Sequence, residues 1–571
     1  MNQFRLFLAC FFALIATAFG FIIRAMVMND WAAQFGLSET QKGEIAGVGL
    51  WPFAISIVLF SLVIDRIGYG KAMIFALVCH IASAVVTMCA PLMLAGEGAT
   101  AAAVAEGQSA GYWMLFLGNL IVALGNGTVE AVINPVVATI YSKEKTKWLN
   151  ILHAGWPGGL VLGGLILLAL DKESSLVTSG MLPTVGWEVK VGLIFIPVIA
   201  YALLLIGCKF PVNERVAANV SYMDMLREFG ALGALIVASL IVFQVGDVVE
   251  KVVDARAATA EVEPAAPADD AEVAPAAAAP AAGVAEATRR TRFYIKLGIS
   301  LALAALFGAY TRSLGRPLFV FMLLIMIPLA TTELGTDSWI GDLMTPIMKN
   351  LEIGGQVFHL SGGWVLIYTS LIMMILRFFA GPIVHRISPL GLLAMSSILA
   401  AAGLWALSSA AGVWILAAAT LYGFGKTFFW PTMLGVVSEQ SPKGGALTLN
   451  ATGGVGMLAV GVVGTVLIGF IQDKAVVAEL YRQDPVSLKQ VVTTKAGLFG
   501  EYETIDPERR ATLSPAQQET VAGIEATAKQ GALKTMAIFP LIMLLCYLIL
   551  ILYFRSKGGY RAQTLDGQPA H

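Results

Sequence analysis

Residues 112–135 read YWMLFLGNLIVALGNGTVEAVINP, and residues 412–431 read GVWILAAATLYGFGKTFFWP. Each run is apolar over about the 20 residues that a helix needs to cross a bilayer. Each also contains a Gly-x-Gly pair, one ionisable residue (Glu130 or Lys426) and a closing proline. Two such similar runs in one chain predict an internal repeat of membrane-spanning helices.

The composition of the whole chain also indicates a membrane protein. Of its 571 residues, 57% belong to the set AVILMFWYC, 13% are charged, and the net charge is −1. Soluble proteins carry about 25% charged residues, so this chain lacks the polar surface of a water-soluble globule. The balance of 37 basic and 38 acidic residues excludes an electrostatic argument for nucleic-acid binding. The five cysteines lie in apolar runs without CxxC spacing, which predicts buried thiols rather than disulfides or metal ligands.

Apolar runs of spanning length fall into three groups, which predict fourteen membrane helices arranged as six, two and six. They lie near residues 4–28, 44–64, 71–93, 112–140, 148–170 and 189–209, then 229–248 and 293–311, then 317–334, 362–384, 389–408, 412–438, 445–471 and 534–554.

These groups divide the chain into an N-terminal six-helix bundle (1–211), an inserted helix pair (212–316) and a C-terminal six-helix bundle (317–571). Within the inserted pair, residues of about 251–290 are rich in Ala, Pro and acidic residues, a composition that predicts a disordered linker. The long loop 472–533 mixes apolar residues with charges and helix-forming residues, so we expect short outer helices there.

The orientation follows from the distribution of Lys and Arg among the short loops. One loop carries Lys143, Lys145 and Lys147, whereas the loop 94–111 on the other side has no basic residue. Because cytoplasmic loops are enriched in basic residues, both termini are expected in the cytoplasm of a cell with the protein in its cytoplasmic or inner membrane.

The repeat extends beyond the two opening runs. Asn134-Pro135 is followed by Asn150, and Trp430-Pro431 is followed by Asn450, and a glycine-rich helix follows each asparagine. A duplicated six-helix unit is typical of transporters in which two halves move about a site near the bilayer midplane.

The loop after the second predicted helix reads Asp65-Arg66-Ile-Gly68-Tyr-Gly-Lys71 and resembles the loop motif of the major facilitator superfamily. Ser61 replaces the first glycine of that motif, and His385 stands where the second half would carry an acid. The resemblance implies an all-α integral membrane protein with the major facilitator fold of two pseudo-symmetric six-helix bundles, here with two inserted helices. It also implies a conformational latch that joins the halves, formed by Asp65, Arg66, Gly68, Lys71, Arg377, Gly381 and Arg386.

Within that superfamily, Glu130-x-x-x-Asn134-Pro135 followed by Leu149-Asn150 is similar to the fucose–galactose–glucose:proton symporter family. The similarity covers roughly residues 1–211 and, more loosely, 317–471, and it implies proton-coupled sugar transport. That family carries an acidic residue on the first helix, where this chain has Arg24. A guanidinium in the cavity suits a carboxylate or phosphate on the solute, unless Glu130 neutralises it.

Five ionisable residues lie at membrane depth, where charges are costly and therefore functional candidates. They are Arg24, Glu130, Glu333, Asp337 and Lys426. Their signs predict two ion pairs, Arg24 with Glu130, and Glu333 or Asp337 with Lys426. One hypothesis is that Glu130 or Glu333 titrates during transport. The alternative is that the ion pairs are static and only hold the helices together. Arg24 could also extend to the membrane interface and leave Glu130 unpaired.

Asn134 and Trp430 are candidates to bind or stack on a solute, with interface anchoring as the alternative role for tryptophan. The sequence has no HExxH, P-loop or GxSxG motif, so we expect neither an enzyme nor a cofactor or metal site. The predicted function is secondary active transport by a monomer, a proton-coupled symport of a small polar solute with a sugar as first candidate. Sodium is an alternative coupling ion, and an organic anion bound by Arg24 is an alternative solute. A membrane receptor or scaffold is the alternative function.

Overall fold

The computed structural model describes residues 3–96, 98–172, 174–261, 282–348, 351–353, 356–358, 362–483, 489–497 and 500–565. Apolar segments that leave water must satisfy their own backbone hydrogen bonds, and most of these residues accordingly form α-helices. The described strands make two separate two-stranded antiparallel sheets. Short 3₁₀ turns lie at Ala90–Met93, Pro442–Gly444 and Lys489–Val491.

The first bundle is built from helices of very different lengths. They are α1 (Gln3–Phe35), α2 (Glu39–Val48), α3 (Trp51–Ile67), α4 (Tyr69–Met88), α5 (Ala101–Ile140), α6 (Lys145–His153), α7 (Gly155–Ala169), α8 (Ser175–Thr178), α9 (Trp187–Gly192), α10 (Phe195–Leu205) and α11 (Glu214–Ala217). Three spans are interrupted by a short break, and they consist of α2 with α3, α6 with α7, and α9 with α10.

The inserted pair is an antiparallel hairpin of α12 (Tyr222–Glu261) and α13 (Ala282–Thr311). Both helices extend into the predicted linker 251–290, and residues 262–281 lie outside the described part of the chain. The helices pack on each other and α12 also packs against the second bundle. Lys296 of α13 forms an ion pair with Asp247 of α12 at 2.5 Å.

The second bundle contains the remaining elements. They are α14 (Pro317–Ala330), a π-helical turn (Thr331–Gly335), α15 (Thr336–Met348), β1 (Leu351–Ile353), β2 (Gln356–Phe358), α16 (Gly363–Phe378), α17 (Ala380–Arg386), α18 (Pro389–Leu407), α19 (Trp414–Lys426), α20 (Phe429–Gln440), α21 (Gly445–Ala459), a π-helical turn (Val460–Gly464), α22 (Thr465–Gln483), β3 (Val492–Gly497), β4 (Gly500–Ile505), α23 (Pro507–Ala511), α24 (Pro515–Met536) and α25 (Ile538–Ser556).

The number of spanning helices differs from the predicted fourteen. In the described residues, twelve helices are long and apolar enough to cross a membrane, or thirteen if α16 and α17, bent by 65°, form one span. The predicted span 412–438 forms α19 and α20, of 13 and 12 residues, on either side of Thr427 and Phe428. Pro431 has no amide hydrogen to donate to the preceding turn, which favours a new helix start just before it. Fourteen continuous spans are therefore not confirmed.

The loop 472–533, called the cap below, forms a small outer structure with its own core. It contains the end of α22, the β3–β4 hairpin and helices α23 and α24. A cluster of apolar side chains holds these elements together, namely Leu480, Val491, Leu513, Val521 and Ile524. Outer helices were predicted here, whereas the hairpin was not.

Both ends of the described chain lie on one side of the bundles, called the terminal side below. Near the N-terminus the Phe7 ring is 5.2 Å from that of Trp148, and near the C-terminus the Tyr560 hydroxyl donates to Glu439 at 2.7 Å. Glu439 in turn accepts a hydrogen bond from Thr146, two residues before Trp148, at 2.5 Å. The β1–β2 hairpin and the cap therefore lie on the opposite side, since the spans between them alternate in direction.

The two bundles contact each other most closely on the terminal side. The Asn150 side-chain amide donates to Thr432 at 3.2 Å, and its repeat equivalent, Asn450, donates to the Ala131 carbonyl at 2.9 Å. Each repeated asparagine thus reaches from its own bundle into the other one. On the opposite side, a cavity of about 640 Å³ separates the bundles.

Candidate functional site

A buried ion pair lies at the centre of the second bundle and reaches into the first. Glu333 stands in the π-helical turn after α14, and Arg377 at the end of α16, with side chains 3% and 1% exposed. Their closest charged atoms are 2.8 Å apart. Arg377 also donates to the Thr427 carbonyl at 2.7 Å and to the His153 carbonyl of the first bundle at 2.9 Å. One guanidinium therefore joins the broken helix α19–α20, the π-helical turn and the opposite half of the molecule.

The π-helical turn has a local cause. Pro328 in the last turn of α14 cannot donate a backbone hydrogen bond, and the Thr332 hydroxyl donates to the Pro328 carbonyl at 2.7 Å. Such turns are frequent at functional sites because they redirect a side chain within a continuous helix. Here the residue in the middle of the turn is Glu333.

Glu130 belongs to a second network of polar side chains, which adjoins the network of Glu333 and Arg377. Its carboxylate accepts a hydrogen bond from the Asn134 side-chain amide at 2.6 Å, one helical turn along α5. The Asn134 carbonyl oxygen lies 2.9 Å from Nε2 of His153, whose backbone carbonyl is the one bonded by Arg377. Polar contacts thus run without interruption from Glu130 to Glu333.

A small cavity of about 30 Å³ adjoins both networks and has room for a water-sized molecule. Glu130, Glu333, Arg377 and Trp430 contribute to its wall. The Trp430 backbone N–H donates to Glu333 at 3.1 Å, so this tryptophan is fixed to the same carboxylate. The structure therefore brings four of the sequence-predicted residues together, namely Glu130, Asn134, Glu333 and Trp430.

Lys426 and Asp337 form the second intramembrane ion pair. Asp337 is one of the two partners that the sequence predicted for Lys426. The Lys426 side chain is fully buried, and its ammonium lies 5.1 Å from the centre of the Tyr422 ring. Asp337 is 11% exposed and contributes to the wall of the large cavity. The alternative partner Glu333 is occupied by Arg377, a residue that the sequence analysis assigned to the latch.

The predicted pair between Arg24 and Glu130 is wrong. Arg24 stands 11 residues before the opposite-side end of α1 at Phe35, and Glu130 stands 10 residues before the terminal-side end of α5 at Ile140. The two side chains consequently lie at different depths. Arg24 instead lines the 640 Å³ cavity together with Asp337, and it makes no ion pair with any residue that the structure describes.

The latch residues of the first half lie at the terminal-side ends of α3 and α4. Asp65 pairs with Arg215 at 2.5 Å, and the Arg66 guanidinium lies 5.6 Å from the centre of the Tyr222 ring. Gly68 joins α3 to α4 with φ +81°, a conformation that favours glycine. Lys71 is exposed. Arg215, which the sequence analysis missed, lies against Gly445 at the start of α21, and it thereby connects Asp65 with the second half.

The latch residues of the second half surround a loop of the first. His385 lies 3.1 Å from Glu144, and Gly381 packs against the Lys147 side chain. Hydrogen bonds from Lys147, at 3.0 Å, lower the pKa of Glu144 below its usual range and keep it anionic beside His385. Arg386 is exposed.

The C-terminal segment is also held on the terminal side. Burial and then the neighbouring Glu439 raise the pKa of Tyr560 well above its usual value, so its hydroxyl remains a donor to that carboxylate.

Two bundles that meet about a polar centre, with a cavity on one side and close contact on the other, define a membrane protein with the architecture of a secondary transporter. Residues 6–465 match the family model described as Major Facilitator Superfamily. The chain belongs to this superfamily and is a multi-pass transporter of that class. None of the curated proteins matches the chain significantly in sequence.

Several solved structures share the fold. A variant of the E. coli fucose:proton symporter FucP is 16% identical, over 94% of this chain and 98% of that chain, with a TM-score of 0.50. The proton:xylose symporter XylE, bound to 6-bromo-6-deoxy-D-glucose, is 12% identical over 96% and 95%, with a TM-score of 0.53. A bacterial homologue of the human drug peptide transporters PepT1 and PepT2 is 10% identical over 97% and 100%, also with a TM-score of 0.53. At these identities the likeness concerns the fold.

Proposed function

We propose that the protein is a proton-coupled symporter of a small polar solute, with a neutral sugar as first candidate, and that it works by alternating access. The observation that carries the proposal is the contrast between two buried carboxylates. Glu333 is held by a guanidinium, whereas Glu130 makes no ion pair within the described residues and accepts from a neutral amide. A buried carboxylate without a cation is costly in its charged form, so Glu130 is the group that we expect to bind and release a proton.

The contacts suggest how protonation couples to movement. A proton on Oε2 of Glu130 makes that oxygen a donor and a weaker acceptor, which weakens its hydrogen bond with the Asn134 amide. Asn134 also positions His153, and the His153 carbonyl accepts from Arg377 of the other bundle. Reorientation of Asn134 would therefore weaken a contact between the halves on the terminal side. Solute in the 640 Å³ cavity and a proton on Glu130 would together favour opening there.

An organic anion is the second candidate solute, and the position of Arg24 favours it. Its guanidinium faces the large cavity, and no described residue forms an ion pair with it. A guanidinium presents paired N–H donors that match a carboxylate or phosphate. Asp337 in the same wall is already bound to Lys426, so it leaves Arg24 as the cationic group for a solute.

The location and direction follow from the predicted orientation. If the basic loops are cytoplasmic, the terminal side faces the cytoplasm of a cell bounded by the cytoplasmic or inner membrane. The 640 Å³ cavity then lies on the outer side, which is the side from which an importer takes its solute. The two bundles (1–211 and 317–571) would move about the site, with the inserted pair attached to the second.

The test is solute-driven proton flux into proteoliposomes that contain the purified protein and an internal pH dye. Neutral sugars and small organic anions are added one at a time to the wild type, to Glu130→Gln and to Arg24→Gln. The matched control is Glu106→Gln, an exposed carboxylate on the same helix α5.

Acidification with a sugar that is lost in Glu130→Gln and kept in Glu106→Gln would support the first proposal. A response only to anions, lost in Arg24→Gln, would favour the second candidate. Acidification that persists in Glu130→Gln would exclude the proposed proton role of Glu130. Absence of acidification with every solute would argue against proton symport and favour sodium coupling, facilitated exchange, or a receptor or scaffold role.

A further inference from the structure

A further cavity of about 510 Å³ lies between the cap and α15 of the second bundle, apart from the 640 Å³ cavity between the bundles. Its volume lies in the range of ordinary small-molecule sites, about 300–1,000 Å³. We propose that this cavity binds a neutral, polyhydroxylated small molecule of about monosaccharide size. It has a largely polar wall on the cap side, contributed by α22, β4, α23 and α24, and one aromatic side chain, from α15 of the second bundle.

The first argument is a buried donor that lacks an acceptor. Gln472 on α22 is 4% exposed and lines the cavity. Its Nε2 finds no hydrogen-bond acceptor among the residues that the structure describes. An unsatisfied buried amide is destabilising, so such groups are normally paired with protein, water or ligand. A ligand hydroxyl or ring oxygen in the cavity would supply the acceptor.

The second argument is the charge of the wall, which indicates a neutral ligand. Two carboxylates, Asp473 and Glu525, are balanced by two cations, Arg510 and Lys529. Arg510 lies 2.9 Å from Glu525, and the Thr504 hydroxyl donates to Asp473 at 3.0 Å. Because the two negative and two positive groups cancel, and Arg510 and Glu525 bind each other, no net charge attracts an ion. Carboxylate oxygens and amide groups instead offer hydrogen bonds to hydroxyl groups.

The third argument is an indole ring set among these polar groups. Trp339 on α15 forms part of the wall, and Gly469 on α22 lies beside its ring. A Cβ at position 469 would be 3.8 Å from the Trp339 ring, so a larger side chain there would occupy the space next to the indole. An aromatic ring beside a few convergent polar groups suits a ligand with an apolar C–H face and hydroxyl groups around its edge.

The site is separate from the 640 Å³ and 30 Å³ cavities, since it has no wall residue in common with either. On α15, Asp337 and Ser338 line the 640 Å³ cavity, whereas Trp339 lines the cavity of the cap. The inference goes beyond the proposed function and does not depend on it, because a ligand can bind the cap whatever solute crosses the membrane.

The test is binding of D-glucose, D-galactose, L-fucose and D-xylose to the purified full-length protein, measured by calorimetry and tryptophan fluorescence. We expect saturable binding of at least one sugar. Gln472→Leu should weaken it about tenfold, as the loss of one ordinary hydrogen bond predicts. Gln483→Leu, an exposed position on the same helix, is the matched control and should bind as the wild type does.

Two further variants keep the result interpretable. Gly469→Leu should abolish binding by filling the cavity, and its thermal melting in detergent would show that it is folded. Trp339→Phe should remove the fluorescence change, and Trp430→Phe, at the 30 Å³ cavity beside Glu333, should keep it.

Absence of saturable binding for all four sugars would overturn the inference. Binding that persists in both Gln472→Leu and Gly469→Leu, or that is lost in Trp430→Phe alone, would place the ligand outside the cap and overturn the inference as well. The proton-flux assay fails or succeeds independently, since it depends on Glu130 and not on the cap.

Discussion

Removing the Arg377 guanidinium should destabilise the protein strongly, because Glu333 would remain as a buried charge without a cation. In Arg377→Met, Glu333 loses its partner at 2.8 Å, and the carbonyls of Thr427 and His153 lose donors at 2.7 and 2.9 Å. Breaking a buried ion pair by removing one member costs about 3–5 kcal/mol. We expect a loss of that size in the free energy of unfolding.

The double variant Arg377→Met/Glu333→Gln should be far less destabilised than the two single variants together. It leaves no buried charge, and the side-chain amide oxygen introduced by Glu333→Gln would still accept from the Trp430 N–H. We expect its destabilisation to fall short of the sum of the single effects by about 2–3 kcal/mol, as for residues in direct contact.

The assay is denaturant-induced unfolding in mixed micelles, followed by tryptophan fluorescence and analysed as a double-mutant cycle. The matched control is Arg482→Met/Glu479→Gln in the cap, an ion pair of the same chemistry in which Arg482 is 72% exposed. Water replaces its contacts, so its coupling should be much smaller. Additive single effects at Arg377 and Glu333, equal to the control within error, would refute the reasoning.

Two other variants probe the second ion pair and the contact between the halves. Exchanging the two charges in Asp337→Lys/Lys426→Asp should restore part of the transport that is lost in Asp337→Asn or Lys426→Met, because the exchanged residues can again form an ion pair. A double variant as inactive as the single variants would argue against this pairing. Gly435→Val should open the terminal side, because a Cβ there would lie 2.9 Å from the Thr146 Cα and closer still to its hydroxyl oxygen. Overpacking of about 1–3 kcal/mol would shift the conformer ratio about 5- to 150-fold, measurable by labelling single cysteines at each side. Gly523→Val, with open space around it, is the control, and equal labelling of both variants would contradict the expected shift.

Much of the architecture could be predicted from the sequence for a local reason. A segment in lipid must form its own backbone hydrogen bonds, so an apolar run of sufficient length becomes a helix whatever surrounds it. The repeated Asn150 and Asn450 marked the two halves, and each does cross to the other bundle. The contact of Glu130 with Asn134 spans one helical turn and therefore follows from i, i+4 spacing.

The span count and the cap hairpin depended on more than hydropathy. Residues 412–438 are apolar enough for one span, yet the helix breaks at Thr427 and Phe428, and Arg377 donates to the buried carbonyl of Thr427. A side chain from α16 thus supplies the hydrogen-bond donor for a carbonyl at the helix break. No local sequence pattern indicates this contact. The β3–β4 hairpin likewise packs on an apolar cluster to which α22, α24 and the segments around them contribute.

The sequence by itself determined that the chain crosses the membrane, that it is built from two repeated halves and which charges lie within it. Only the tertiary structure decided which charges meet: Glu333 with Arg377, Asp337 with Lys426, and Arg24 with neither acid of the predicted pairs. The physical reason is that hydropathy and backbone hydrogen bonding act along one helix. An ion pair depends instead on the depth and rotation of two helices, which the packing of the whole bundle sets.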